Sequence, residues 1–127
     1  MSNPEQDYIQ VALDLVLKRH QQILAKGPNN LEPMYNSIVR QLEYFYKIVT
    51  EVEKDRAKMW DLTFGMYAAK EFENADELFD DRLSSAFYIA DPIRNGLKVQ
   101  LPHEVDKEYY KKQSRLATLY PENFKYK

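Results

Sequence analysis

The chain has 127 residues, of which 44% are hydrophobic and 30% charged, with a formal net charge of −2 and no cysteine. This length suits one domain with one buried core, and the composition is ordinary for a globular protein, which argues against disorder. The absence of cysteine excludes disulfides, thiolate metal sites and cysteine nucleophiles.

The same sequence argues against secretion, membrane insertion and nucleic-acid binding. The chain begins MSNPEQDY, which lacks the basic and apolar segments of a signal peptide. Its most apolar segment, VALDLVLKRH, contains Asp14 and is far shorter than the roughly 18 apolar residues of a membrane span. No dense basic run is present, and the sequence pI is about 5.7. We therefore expect a cytoplasmic protein that binds neither membrane nor nucleic acid.

Two amphipathic helices are predicted in the first part of the chain. Residues 4–26 carry an apolar stripe that Gly27-Pro28 ends. The second helix has the clearest pattern in the chain, because its apolar residues are spaced alternately three and four apart. These residues are Tyr35, Ile38, Leu42, Phe45, Val49 and Val52.

A third helix is predicted to start at Asp55, whose carboxylate can cap the first turn. Its expected apolar stripe consists of Met59, Leu62, Met66, Ala69 and Phe72.

A fourth helix is predicted to begin at Asn74 or Asp76, either of which can cap it, and to end at Asp91-Pro92. Its buried face is expected to comprise Phe79, Leu83, Ala86 and Ala90.

The rest of the chain has weaker signals. Asn95-Gly96 predicts a turn, and residues 97–101 are expected to be extended. Residues 103–127 form a predicted C-terminal extension with a possible fifth helix that Pro121 ends. We therefore predict one all-α domain over residues 1–127, an antiparallel bundle of four to five helices with a short extended segment near 97–101.

The sequence shows no pattern that favours catalysis. His20 and His103 lack metal-ligand spacing, and Ser84-Ser85 lies in a predicted helix with no histidine nearby in sequence. Gly65 falls inside a helical pattern, where close helix packing is the favoured explanation. We expect no catalytic residue, no cofactor and no metal.

An acidic stretch, residues 71–81, carries six carboxylates and no base. The remainder of the chain therefore sums to +4, and residues 98–127 have a local charge of +3. Two interpretations of the acidic stretch remain open: a solvated turn between two helices, or a surface that attracts a positively charged partner.

Several motifs resemble the small helical immunity proteins that neutralise a type VI secreted NAD(P)+ glycohydrolase toxin. They are LTFGMYAAKEFE, LSSAFYIA and GLKVQLP, which together fall within residues 61–102. The resemblance implies a protein without enzymatic activity that binds the toxin domain encoded beside it and blocks the dinucleotide pocket. Residues 103–127 extend beyond the expected length of such a protein.

A pocket that binds NAD(P)+ is expected to have a positive mouth, so the resemblance favours the acidic stretch as the toxin-binding surface. The expected toxin-binding residues are Tyr67, Lys70, Glu71, Glu73, Asp76, Glu77, Asp80 and Asp81. The alternative from another class is a helical adaptor that uses tyrosines at the edges of the bundle to self-associate or dock on a complex. An enzyme that uses the acidic stretch is the third possibility. The sequence leaves the oligomeric state open.

Overall fold

The computed structural model describes residues 4–27, 30–72 and 76–124, and every regular element in these ranges is helical. The six α-helices are α1 (Pro4–Ala25), α2 (Glu32–Val49), α3 (Phe64–Tyr67), α4 (Glu77–Arg94), α5 (Pro102–Val105) and α6 (Tyr109–Leu119). This arrangement confirms the predicted all-α class. None of the helices in these ranges is both long and apolar enough to cross a membrane.

The core lies where α1 packs against α2 and α4. Each of these helices turns an apolar stripe inward, as the sequence predicted. Burying a side chain such as Ile9 or Phe45 stabilises the fold by about 1.5–3 kcal/mol, so these stripes supply most of the driving force. The fully buried side chains of the three helices include Ile9, Val16, Ile38, Leu42, Phe45, Phe79, Leu83 and Ile89.

The second helix is shorter than predicted. It ends at Val49, and Val52 is 73% exposed, whereas Ile48 is buried. The Thr50 hydroxyl donates to the carbonyl oxygen of Tyr46, and Glu51 adopts a left-handed backbone with φ 63°. This local geometry ends the helix before Val52, the sixth residue of the predicted stripe.

The prediction of one continuous third helix starting at Asp55 is wrong. A 3-10 helix, Ala57–Asp61, is followed by a break, by α3 and then by a π-helical turn, Ala68–Phe72. The cap of α3 comes from α2, because Gln41 Oε1 accepts the backbone N–H groups of Thr63 at 2.7 Å and Phe64 at 2.9 Å. Asp55 instead accepts the N–H of Ala57.

Breaking the third helix also changes which side chains of its predicted stripe are buried. Met59, Leu62 and Phe72 lie in the core, but Met66 is 53% exposed. The side chain of Ala69 lies outside the described part of the structure.

Helix α4 begins as predicted and ends later. Asp76 caps it by accepting the N–H of Phe79, and the four residues of its predicted buried face are buried. Pro92 lies inside the last turn instead of ending the helix, because it removes only one backbone hydrogen bond there. The helix stops where Gly96 takes φ 69° and the Leu97 N–H donates to the carbonyl oxygen of Pro92 at 2.8 Å.

The C-terminal segment covers one side of the bundle. Residues 97–100 have no regular structure, and Leu101 has an extended backbone. Helix α6 buries Leu116 completely, and His103 contacts Tyr8 of α1. We call the described residues 103–124 the tail.

Candidate functional site

The acidic stretch is largely paired within the chain. Asp76 forms an ion pair with Arg19 of α1 at 2.8 Å in addition to capping α4. Glu77 contacts Arg115 of the tail at 2.5 Å, and its backbone N–H donates to the Tyr120 hydroxyl at 3.2 Å. Glu73 lies outside the described residues.

Asp81 is the most deeply placed of these carboxylates. It is 5% exposed and lies 2.6 Å from Arg82 Nη1 and 3.4 Å from Lys112 Nζ. Gln113 also donates to it at 3.2 Å and accepts from Arg82 at 2.8 Å. A carboxylate buried this far needs such partners, because an unpaired charge in the interior is strongly unfavourable.

These contacts give the acidic stretch a role that neither sequence interpretation included. Part of it is an internal counter-charge for the tail, which supplies Lys112 and Arg115 from a segment with an excess of base. The matching local charges, −6 in the acidic stretch and +3 in residues 98–127, were the one sequence signal that could have indicated the pairing.

The other predicted toxin-binding residues lie nearer the outside. Lys70 and Glu71 are exposed on the π-helical turn, and Tyr67 is half-buried against the core. Asp80 accepts a hydrogen bond from the Ser84 hydroxyl at 3.2 Å on the outer side of α4. The predicted residues are therefore split between an exposed set and a set held by the tail and α1.

Replacing Asp81 tests this division. We expect Asp81→Ala to lower the free energy of unfolding by about 1.5–2 kcal/mol, because it removes the acceptor of the Gln113 amide in a partly buried position and leaves Arg82 with Gln113 Oε1. The exposed Glu71→Ala is the control and should change it by less than about 0.5 kcal/mol. Urea unfolding of both variants measures the difference, and equal stabilities would contradict the assignment.

The aromatic and aliphatic residues of the acidic stretch belong to the core. Phe72, Leu78 and Phe79 are each 5% exposed or less. The rings of Phe72 and Phe79 lie 4.5 Å apart between centroids, and Phe79 stacks on Tyr35 at 5.9 Å. These side chains stabilise the junction of α2 and α4, and they have almost no surface to offer a partner.

A groove of about 640 Å³ that the sequence analysis did not predict lies between α3, α4 and the segment after α4. We call it the Gly65 groove. Its lining residues are Gly65, Ser84, Phe87, Tyr88, Asp91, Pro92, Leu97, Lys98 and Gln100. A Cβ atom on Gly65 would meet the Phe87 ring at 2.5 Å, which confirms close helix packing as the reason for this glycine.

Large side chains are exposed around this groove. Tyr88 is 45% exposed, Leu97 66% and the nearby Trp60 61%. Arg94 connects Trp60 to the Phe87 ring of the groove. Its guanidinium lies 5.1 Å from the centroid of the Trp60 ring and 5.1 Å from that of the Phe87 ring. Asp91 Oδ1 fixes the same guanidinium at 3.0 Å.

A second cleft, of about 810 Å³, lies between α1, α4 and the tail. Tyr8 lines it and accepts the backbone N–H of His103, whose Nδ1 is 2.7 Å from the same hydroxyl. Burial, together with a hydrogen bond to Tyr109, raises the pKa of Tyr8 well above its usual value, so the phenol keeps its proton. It therefore helps to attach the tail.

The two histidines lie in separate aromatic contacts. His20 stacks on Tyr35 with 6.1 Å between ring centroids, and His103 stacks on Tyr8 at 5.9 Å. Within residues 4–27, 30–72 and 76–124, no three side chains of the metal-ligating types come together.

The fold and its surfaces define a small helical protein that exposes tryptophan and tyrosine beside an apolar groove, and these residue types are enriched in protein–protein interfaces. The chain belongs to the Tsi6 family, whose model matches residues 5–92. This confirms the resemblance on which the sequence analysis relied.

Two relatives give the extent of the similarity. The immune protein Tsi6 of Pseudomonas aeruginosa is 34% identical over 96 residues, which are 76% of this chain and 96% of that protein. A solved structure of Tse6 in complex with Tsi6 matches with a TM-score of 0.66 and 33% identity, covering 79% of this chain and 100% of the other. The family match ends at residue 92, so α5 and α6 lie beyond it.

Proposed function

We propose that this protein is a cytoplasmic immunity protein that binds a toxin domain encoded beside it and blocks the toxin's active site. The observation that carries the proposal is membership of the Tsi6 family, in which a relative has been solved in complex with Tse6. The protein acts by occupying a surface and catalyses no reaction itself. The toxin domain consumes NAD(P)+, as the resemblance implies.

The physical basis of inhibition is steric and electrostatic. A pocket that holds the phosphates of a dinucleotide carries positive potential, so an exposed carboxylate on a rigid scaffold speeds association and opposes substrate entry. Of the predicted acids, Glu71 is exposed and Asp80 is half-buried, and neither belongs to the ion pairs described above. We place the toxin contacts on these two residues, on Tyr67 and Lys70 and, from its position in the sequence alone, on Glu73.

Asp76, Glu77 and Asp81 contribute to toxin binding mainly by holding the scaffold. Their side chains already pair with Arg19, Arg115 and the group around Arg82. A toxin cation would have to displace those partners, so single replacement of these acids is expected to act first on stability.

Co-expression with the toxin domain from the adjacent open reading frame tests the proposal. Cells that express the toxin domain alone should lose NAD(P)+ and stop growing, and cells that also express this protein should keep both NAD(P)+ and growth. The two proteins should co-purify. The control is the purified protein incubated alone with NAD(P)+, which it should leave intact.

Two results would contradict the proposal. One is an NAD(P)+-consuming activity that stays with this protein through repeated purification. The other is growth arrest that continues although the protein is soluble and at least as abundant as the toxin domain.

A further inference from the structure

We propose that the Gly65 groove and its aromatic rim form the centre of the toxin-binding surface. This inference rests on the proposed function and specifies the surface and the chemistry of its occupant. The occupant is a protruding apolar side chain of the toxin domain with cationic side chains beside it. The acidic residues identified from the sequence would then lie toward the edge of the interface.

The first argument is the kind of residue that surrounds the groove. Tryptophan, tyrosine and arginine are enriched among the residues that dominate the binding energy of protein interfaces, and the two aromatic types cover large areas with few rotatable bonds. Here Tyr88 lines the groove, and Arg94 and Trp60 adjoin it because Arg94 lies against both the Phe87 ring of the groove and the Trp60 ring. Arg94 is held between two rings and the Asp91 carboxylate, so binding would order it little further.

The second argument is the shape of the groove. Its floor is formed by the Gly65 backbone and by the Phe87 ring, which packs directly against that backbone. A recess of about 640 Å³ beside the exposed Leu97 can accept one large apolar side chain and exclude water from it.

The third argument is charge. Asp80, Ser84, Tyr88 and Asp91 follow one another along the outer side of α4 at spacings of four, four and three residues. This line presents the Asp80 carboxylate, a hydroxyl and a phenol, whereas the Asp91 carboxylate at its other end is paired with Arg94. The Asp80 end is therefore suited to a cationic group expected at the mouth of a dinucleotide pocket, while Arg94 and Lys98 balance the charge at the Asp91 end.

The fourth argument is position within the family match. Trp60, Gly65 and Tyr88 lie inside residues 5–92, the part of this chain that matches the family model, whereas Arg94 and Leu97 lie just beyond it. The cleft between α1, α4 and the tail is larger, but the tail that closes it lies beyond the match. A surface that serves a function common to the family is expected in the matched part.

Two substitutions of serine by arginine test the inference. Ser84→Arg introduces a long cationic side chain into the groove, and Ser114→Arg introduces the same side chain at an exposed position on α6. Each is made in the full-length chain, and its affinity is measured by calorimetry against the toxin domain from the adjacent open reading frame. We expect Ser84→Arg to weaken binding at least thirtyfold, the scale of a hot spot, and Ser114→Arg to change it less than threefold.

A second pair of substitutions shows whether misfolding accounts for a loss of binding. Leu97→Ser removes an exposed apolar side chain beside the groove without altering a helix, and Leu119→Ser removes one from the tail. The first should weaken binding at least tenfold and the second less than threefold, with thermal unfolding midpoints close to that of the unmodified protein.

The possible outcomes are distinct. Selective loss of binding in Ser84→Arg and Leu97→Ser supports the inference. Unchanged binding in both, with the unmodified protein binding well, overturns it and leaves the proposed function intact. Loss of binding in Ser114→Arg and Leu119→Ser instead overturns the inference, because the toxin interface would then lie on α6. If the unmodified protein does not bind the toxin domain, the proposed function fails and this inference fails with it.

Discussion

Deleting residues 103–127 is expected to lower the free energy of unfolding by about 3–5 kcal/mol. The deletion removes Leu116, which is fully buried, and exposes the part of the core that it covers. Loss of a buried leucine side chain alone costs about 2–5 kcal/mol. The deletion also takes away Lys112 and Gln113 from the nearly buried Asp81, leaving Arg82 as its partner.

Urea unfolding of the full-length and truncated proteins measures this effect. The point variant Leu116→Ala separates packing from pairing and should account for about half or more of the loss. Because the tail lies beyond the family match, the truncated protein should still neutralise the toxin at temperatures where it is folded. If it is as stable as the full-length protein but fails to protect, the tail belongs to the toxin interface.

Replacing Gly65 by alanine is expected to lower the free energy of unfolding by about 2–3 kcal/mol. This loss of stability is unusual, because replacing a glycine in a helix by alanine ordinarily raises the free energy of unfolding by up to about 1 kcal/mol. Here the new methyl group would lie 2.5 Å from Cγ and 2.9 Å from Cβ of Phe87. Cβ of Phe87 adjoins the α4 backbone, so relieving the overlap requires α3 and α4 to move apart.

A double-mutant cycle with Phe87→Ala distinguishes this contact from a general effect of the substitution. In the Phe87→Ala background, Gly65→Ala should cost about half as much or less, because the ring atoms at 2.5 and 2.7 Å are absent and the Cβ contact at 2.9 Å remains. Stabilisation by Gly65→Ala in the unmodified background would show that α3 and α4 are not in the close contact described here.

The elements that the sequence predicted well are those fixed by local pattern. The buried stripes of α1, α2 and α4 repeat at helical spacing over about two to four turns, so their burial follows from periodicity. The Asp76 cap was equally predictable, because the capping carboxylate and the Phe79 N–H group that donates to it are three residues apart.

The parts that the sequence did not predict depend on contacts between distant residues. The cap of α3 comes from Gln41, which is 22 residues before Thr63, so Asp55 was the better local candidate. Asp81 was expected on the surface, among the toxin-binding residues, but Lys112 and Gln113 reach it from α6.

The candidate site shows the same limit. The acidic stretch was evident as a local excess of charge, and the structure shows that three of its five described carboxylates form ion pairs within the chain. The Gly65 groove could not be predicted from the sequence, because it is assembled from α3, α4 and the segment after α4. The one indication of it in the sequence was Gly65, a glycine in a helical pattern.

Inhibition of the toxin domain in solution is the most direct test of the central claim. A fixed amount of the toxin domain is mixed with increasing amounts of this protein, and the rate of NAD(P)+ consumption is followed. An immunity protein that blocks the active site should lower the rate in proportion to the amount added and abolish it near one equivalent. An undiminished rate at tenfold excess of folded protein would contradict the claim.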